Sequence, residues 1–144
     1  VIEVSTTDPR GTLSAAASDT FELGNGLLVR SAELARRDDE TLLLSVEWEA
    51  EEAVDQDYSV AVHLVASDPP AGPDDVLAQA DARHPVNGWY PTSRWLEHEV
   101  VQDAYALRVP ERGSAVAVRV AMYRLNEAGA FVNTEWLSLS IPEA

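Results

Sequence analysis

The chain has no cysteine and no lysine among its 144 residues. Without a thiol it has no disulfide, no thiolate nucleophile and no thiolate metal ligand. All ten basic residues are arginine and stand against 25 aspartates and glutamates, so the formal net charge is −15. A surface this acidic repels phosphate backbones and anionic headgroups. We therefore expect the protein to bind neither nucleic acid nor an anionic membrane surface. An uncharged sugar or a cationic partner is compatible with this charge.

Long apolar runs are also missing. The longest, Thr41 to Trp48 and Ala115 to Tyr123, fall far short of the roughly 20 residues that a membrane helix needs. We expect no direct membrane insertion by this segment. The start, Val1 to Val4, lacks the basic region, apolar stretch and cleavage site of a signal peptide, so the chain is interpreted as a mature form or a piece of a longer protein.

The length suits a single domain with one core. Residues 5–19 are small and polar and include Pro9 and Gly11, without a sustained period. We therefore interpret residues 1–19 as a leader or linker, with or without a short strand, and residues 20–144 as one domain.

Apolar residues alternate with polar ones along most of that domain, which is the period of a half-buried strand. The alternation covers 41–50, 58–64, 101–109, 116–122 and 137–141, with weaker cases at 27–36 and 75–81. Asp103 is the one polar residue at an otherwise apolar position of its strand. Turn chemistry separates these segments, as at Asn25-Gly26 and in the proline-rich stretch from Asp68 to Asp75. The pattern predicts an all-β, two-sheet antiparallel sandwich, either immunoglobulin-like or jelly-roll.

Known catalytic signatures are missing. The chain has no GxSxG elbow, no GxxxxGK phosphate loop and no GxGxxG dinucleotide loop. The stretch from His98 to Gln102 has glutamine where a zinc-protease helix needs its second histidine, and it falls in a predicted strand. We therefore predict no cofactor and no metal site.

Two histidines deserve separate interpretations. His63 falls on the strand face opposite the core residues Val62 and Leu64, where a surface or hydrogen-bonded role is the plainer one. His84 follows Asp81 closely, and an aspartate–imidazole pair with Ser93 or Thr92 nearby is a weak hydrolase hypothesis. A fixed loop in which Asp81 accepts hydrogen bonds from backbone amides explains the same residues more simply.

Carboxylates cluster between positions 47 and 57. Two of them at the correct separation would suit a glycosidase, and calcium is the alternative ligand, although the spacing of an EF-hand loop is missing. A solvated sheet face and loop is the default interpretation.

The aromatic residues carry the binding hypothesis. Trp48 belongs to the core face of its strand, whereas Trp136 is predicted to cover an outer face or an edge. Trp89, Tyr90 and Trp95 fall together in the segment HPVNGWYPTSRW, residues 84–95, which we call the aromatic loop. Exposed rings there would stack on sugars, but the same rings would also serve to close the end of a sandwich.

The order of these features resembles a known family. It is similar to the soluble C-terminal β-sandwich domain of Chloroflexi-type bacterial membrane proteins that are dolichyl-phosphate-mannose protein mannosyltransferase-like. The resemblance covers about residues 26–125 and is most specific from Gly88 to Trp95. It rests on Val46-Glu47-Trp48, on 57–64, on Ala78-Gln79-Ala80-Asp81, on 85–95 and on 99–103. The sequence departs from the family at His98, where glycine is usual, and at Ala121-Met122-Tyr123, where Gly-Leu-Tyr is usual.

The resemblance implies an accessory module outside the cytoplasm, membrane-tethered or secreted, and it supplies no catalytic residue for this domain. Our first expectation is therefore a non-catalytic sandwich that binds a glycan or contacts an adjacent membrane domain. A purely structural or protein-interaction domain is the alternative, and the hydrolase is the weaker one. The candidate ligand-binding residues are Trp89, Tyr90, Trp95, His63, Asp81 and His84. The sequence does not indicate an oligomeric state.

Overall fold

The computed structural model describes residues 20–86, 88–110 and 115–141. The predicted leader or linker, residues 1–19, lies outside the described residues. Within the described residues nine strands form two antiparallel sheets, which confirms the predicted all-β sandwich. The strands are β1 (Phe21–Gly24), β2 (Leu27–Asp38), β3 (Thr41–Ala50), β4 (Ser59–Val65), β5 (Val76–Gln79), β6 (Val100–Arg108), β7 (Ala117–Leu125), β8 (Phe131–Asn133) and β9 (Leu137–Ser140). Within the described ranges the helical segments are two short 3₁₀ turns, Pro73–Asp75 and Thr92–Arg94.

The strand order distinguishes the two predicted topologies. One sheet, sheet A, has the order β1-β2-β3-β6, and the other, sheet B, has the order β5-β4-β7, after which both β8 and β9 pair with β7. The chain therefore crosses between the sheets so that β3 pairs with β6 and β4 pairs with β7. With one additional strand at the start, these are the B–E and C–F pairings of an immunoglobulin-like sandwich. The topology is immunoglobulin-like and not a jelly roll.

The first hairpin follows from two residues. Asn25 and Gly26 connect β1 to β2, and both have a positive φ, 58° and 83°. Two-residue hairpin turns of type I′ need positive φ at both central positions, and Asn-Gly is the pair that adopts it most easily. The turn therefore forms where the dipeptide predicts it.

The core lies between the sheets and contains the residues of the predicted inner faces. The exposure of β6 alternates strictly, with Val101, Asp103, Tyr105 and Leu107 buried and their neighbours exposed. Trp48 is fully buried in the centre of the core, as the alternation of its strand predicts. Burying an apolar side chain of this kind contributes about 1.5–3 kcal/mol, so the inner faces of both sheets supply most of the stabilisation.

The two ends of the sandwich differ. At one end β3 stops and β6 begins, and there His98 N–H donates to the Ala50 carbonyl at 2.7 Å. The aromatic loop, which ends three residues before His98, lies at the same end. We call this the loop end. The start of β4 and the β7–β8 hairpin lie at the same end, since the Tyr58 amide contacts the aromatic loop.

Candidate functional site

The six candidate residues lie in two places. His84, Trp89, Tyr90 and Trp95 belong to the aromatic loop, which connects β5 in sheet B to β6 in sheet A. His63 and Asp81 lie at the outer face of sheet B. The sequence therefore identified two neighbourhoods and not one site.

Trp89 sits on a tight turn of the aromatic loop and is 83% exposed. Backbone hydrogen bonds close this turn. Gly88 N–H donates to the His84 carbonyl at 2.9 Å, and Trp89 N–H donates to the Val86 carbonyl at 3.0 Å. Val86 and Gly88 both have positive φ, 57° and 89°. A large aromatic ring is thus presented to solvent on a hydrogen-bonded turn.

Trp95 has the opposite environment, because it is only 3% exposed and belongs to the core. Its indole N–H donates to the Tyr90 carbonyl at 3.1 Å, and the two rings are tilted at 45° with centroids 6.2 Å apart. The Tyr90 hydroxyl donates to Glu99 Oε1 at 2.8 Å, and this bond raises the pKa of Tyr90. Tyr90 and Trp95 therefore close the sandwich, while Trp89 alone among the three is free for a ligand.

The aromatic loop is also fastened to the segment before β4. The Thr92 side chain is completely buried, and its hydroxyl accepts from Tyr58 N–H at 3.1 Å while it donates to the Gln56 carbonyl. Asp57 Oδ1 accepts from Ser93 N–H at 3.0 Å. Hydrogen bonds from Ser93 lower the pKa of Asp57 against the opposing effect of burial. The loop is therefore preorganised by side chains as well as by its own backbone.

Asp103 is a residue whose role the sequence did not reveal. It points into the core, is 8% exposed, and accepts from the Trp48 indole at 3.1 Å and from the Tyr105 hydroxyl at 2.6 Å. It also accepts from Val86 N–H at 3.0 Å. The only signal in the sequence was a carboxylate at an apolar position of a regular strand, and its three partners come from separate elements.

The second neighbourhood covers the outer face of sheet B. His63 Nε2 lies 3.4 Å from Asp81 Oδ1, and its ring packs on Trp136 with centroids 5.3 Å apart. The Arg119 guanidinium lies over the same indole at 4.7 Å, and its Nε is 3.2 Å from Asp68 Oδ1, at an angle unsuitable for a hydrogen bond. Trp136 therefore covers an outer face, as predicted, and its ring contacts both His63 and Arg119.

Asp81 and His84 are not brought together in the described part of the chain. Asp81 Oδ1 accepts from Val62 N–H at 3.1 Å and pairs with His63, so the backbone amide that it binds belongs to β4 and not to the aromatic loop. The buried Nδ1 of His84 has no hydrogen-bond partner among the described residues. Ser93 is bonded to Asp57 instead. The geometry offers no support for an aspartate–histidine–serine arrangement.

Glu49 of the carboxylate cluster is likewise engaged in structural contacts. Glu49 is buried and bonds to Arg30 at 3.0 Å and to His98 Nδ1 at 3.2 Å. Burial opposes its ionisation, but the hydrogen bonds and charges of Arg30 and His98 outweigh burial and lower the pKa of Glu49. A glycosidase acid needs a raised pKa. In the ranges that the structure describes, no group of three or more acidic or imidazole side chains is arranged to hold a metal ion.

Exposed apolar side chains are concentrated at the loop end. Within the described residues six large apolar side chains are exposed, and five of them lie there: Trp89, Leu96, Val100, Leu125 and Phe131. The sixth, Val116, lies at the opposite end. A groove of about 480 Å³ also lies at that opposite end, lined in part by Glu40, Leu77 and Arg108, and it contains none of the candidate residues.

Comparisons with known proteins find no matching family model and no significant match to a curated protein or a solved structure. No helix in the described residues is long and apolar enough to cross a membrane.

Proposed function

We propose that this domain is a non-catalytic recognition module that binds an uncharged glycan through Trp89. One observation carries the proposal: Trp89 is 83% exposed on a turn whose neighbours Tyr90 and Trp95 are fixed by hydrogen bonds. A flat, exposed indole offers an apolar surface for stacking on a sugar ring. A fixed loop lowers the ordering cost of binding. The net charge of −15 favours a neutral sugar over an acidic one.

The resemblance to the mannosyltransferase-like membrane proteins supports a proposal for the location of this module and for the kind of protein to which it belongs. We propose that it acts as an extracytoplasmic accessory module of a membrane-associated, glycosyltransferase-like protein. Protease accessibility of the domain in intact cells tests the location, because a cytoplasmic domain is protected until the membrane is opened.

Titration with neutral oligosaccharides tests glycan binding. Cello-, xylo-, manno- and chito-oligosaccharides are added while the four indole N–H signals are followed by NMR. We expect the Trp89 signal to shift with one of these sugars and the buried Trp48 and Trp95 signals to stay. Trp89→Ala abolishes binding, whereas the matched control Phe131→Ala, also exposed at the loop end, retains it. An unmoved Trp89 signal across the panel at millimolar sugar contradicts the proposal.

A second candidate function is contact with an adjacent protein domain. The five exposed apolar side chains at the loop end favour it, because apolar surface grouped on one side of a domain is typical of an interaction surface. A photo-crosslinking residue at position 89 or 131 of the full-length gene product would then form crosslinks to another part of the same polypeptide. The same residue at position 116, at the opposite end, is the control.

A further inference from the structure

Asp103 holds the aromatic loop onto the core. Its Oδ2 accepts from three elements: the Trp48 indole on β3, the Tyr105 hydroxyl on β6 and the Val86 amide in the loop. The other oxygen, Oδ1, accepts from Ala104 N–H at 2.9 Å. These donors are all neutral, and Asp103 has no cation partner among the described residues. A buried carboxylate without a cation is unfavourable unless hydrogen bonds compensate for the loss of water. The hydrogen bonds from these neutral donors therefore stabilise Asp103 in the core.

The backbone conformation of Val86 explains why the loop needs an acceptor such as the Asp103 carboxylate. Its φ of 57° is in the left-handed region, which a β-branched residue rarely adopts without support from its surroundings. The Asp103 carboxylate binds the amide of this same residue at 3.0 Å. The hydrogen bond therefore fixes the strained position of the turn.

The effect reaches Trp89 through one further bond. Trp89 N–H donates to the Val86 carbonyl at 3.0 Å. Val86 therefore links the two residues, because its N–H donates to Asp103 and its carbonyl accepts from Trp89. The backbone position of Trp89 is therefore tied to that of Val86. Among the described residues of the turn, Val86 is the one whose backbone donates to a side chain of sheet A.

We propose that Asp103 is the positioning residue of the recognition surface, and that it acts on Trp89 through Val86. The proposal rests on the proposed function only where it takes Trp89 as the ligand contact. The coupling between Asp103 and the turn is a property of the chain without ligand.

Backbone ¹⁵N relaxation of the full chain tests the coupling. In the wild type we expect order parameters near about 0.85 at Gly88 and Trp89, as for rigid backbone. Asp103→Leu removes both carboxylate oxygens, so the Val86 N–H loses its acceptor, and we expect the values at these two residues to fall below about 0.6. Tyr105→Phe is the matched control, because it removes a donor from Asp103 Oδ2 but leaves the Val86 bond, and the turn should stay rigid. An Asp103→Leu protein that folds with a rigid turn overturns the proposal.

Amide hydrogen exchange of the wild type keeps the proposal testable if Asp103→Leu does not fold. We expect the Val86 amide, although it lies in a loop, to exchange as slowly as the β6 amides that are hydrogen-bonded to β3. Exchange at the rate of exposed loop amides overturns the proposal.

Ligand binding separates this proposal from the proposed function. If a neutral oligosaccharide binds at Trp89, Asp103→Leu should weaken its affinity at least about tenfold while Tyr105→Phe should leave it unchanged. A mobile turn in Asp103→Leu with no sugar ligand supports the positioning role and removes the glycan function. Sugar binding that Asp103→Leu does not weaken removes the positioning role and leaves the glycan function.

Discussion

The indole N–H of Trp95 donates to the backbone carbonyl of Tyr90, five residues earlier, at 3.1 Å. This bond ties the last residue of the aromatic loop to its middle, and the Trp95 ring lies in the core. Trp89, one residue before Tyr90, points in the opposite direction into solvent. Two tryptophans of one loop thus have separate roles, one in stability and one in recognition.

Alanine substitutions separate those roles. Trp95→Ala should lower the free energy of unfolding by about 3–5 kcal/mol, because it deletes a buried aromatic side chain. Trp89→Ala should change it by less than about 0.5 kcal/mol, because the ring is exposed. Urea unfolding of both variants measures the difference. Equal unfolding free energies for the two variants would show that Trp95 is not a core residue.

The Thr92 hydroxyl offers a test of the loop attachment. Thr92→Val keeps the shape but leaves the Tyr58 amide and the Gln56 carbonyl without their partner, and we expect a loss of about 1–3 kcal/mol. Thr92→Ser retains the hydroxyl and should restore most of this loss. Chemical unfolding of both variants provides the comparison, and a Thr92→Ser protein as unstable as Thr92→Val would assign the effect to packing instead.

The alkaline limit of stability should depend on Tyr105. Burial and the hydrogen bond to Asp103 raise the pKa of Tyr105 far above its usual value, so the folded chain keeps the phenol protonated where the unfolded chain ionises. The contribution of protonated Tyr105 to the free energy of unfolding is fully present below about pH 10 and is lost as the pH rises above that value. Tyr105→Phe should reduce the slope of unfolding free energy against pH by up to about 1.4 kcal/mol per pH unit. Urea midpoints between pH 8 and 11 measure the slope, and identical slopes would refute the prediction.

The acid limit should depend on Glu49. Burial opposes ionisation of its carboxyl, but Arg30 and His98 lower the net pKa below the ordinary value of 4.5. Glu49 therefore stabilises the fold above about pH 4.5, and this contribution is lost as the pH falls through the lower folded pKa. Glu49→Gln should be less stable than the wild type at pH 7 and less sensitive to acid. Circular dichroism during urea unfolding at pH 3–7 measures both, with exposed Glu51→Gln as the control that should behave as the wild type.

Much of the fold follows from the period of the sequence. The strands β3 and β6 bury mostly alternate side chains, and β4 and β7 bury their core-facing positions together with some outward ones. The pattern identified these four strands to within about three residues. The strands β1 and β8 were missed, and β8, with three residues, is too short for an alternation to show. The choice of immunoglobulin-like topology also needed the structure, since strand pairing between distant segments leaves no periodic signal.

The site was predictable only in part. The sequence identified the aromatic loop because its composition differs from the rest of the chain. It could not separate exposed Trp89 from buried Trp95, because both occur in an aperiodic loop where backbone turns determine direction. It could not assign Asp103 either, since the Trp48 indole that binds it lies 55 residues away.

The pairing of β3 with β6 has a consequence for how the molecule forms. The hairpin β2–β3 closes over a short turn, whereas β6 joins β3 only after β4, β5 and the aromatic loop have passed between them. Sandwiches dominated by such distant pairings fold in milliseconds to seconds. We expect β6 to dock late, so that the open edge of β3, with its run of leucines, is the surface through which newly made chains associate with one another.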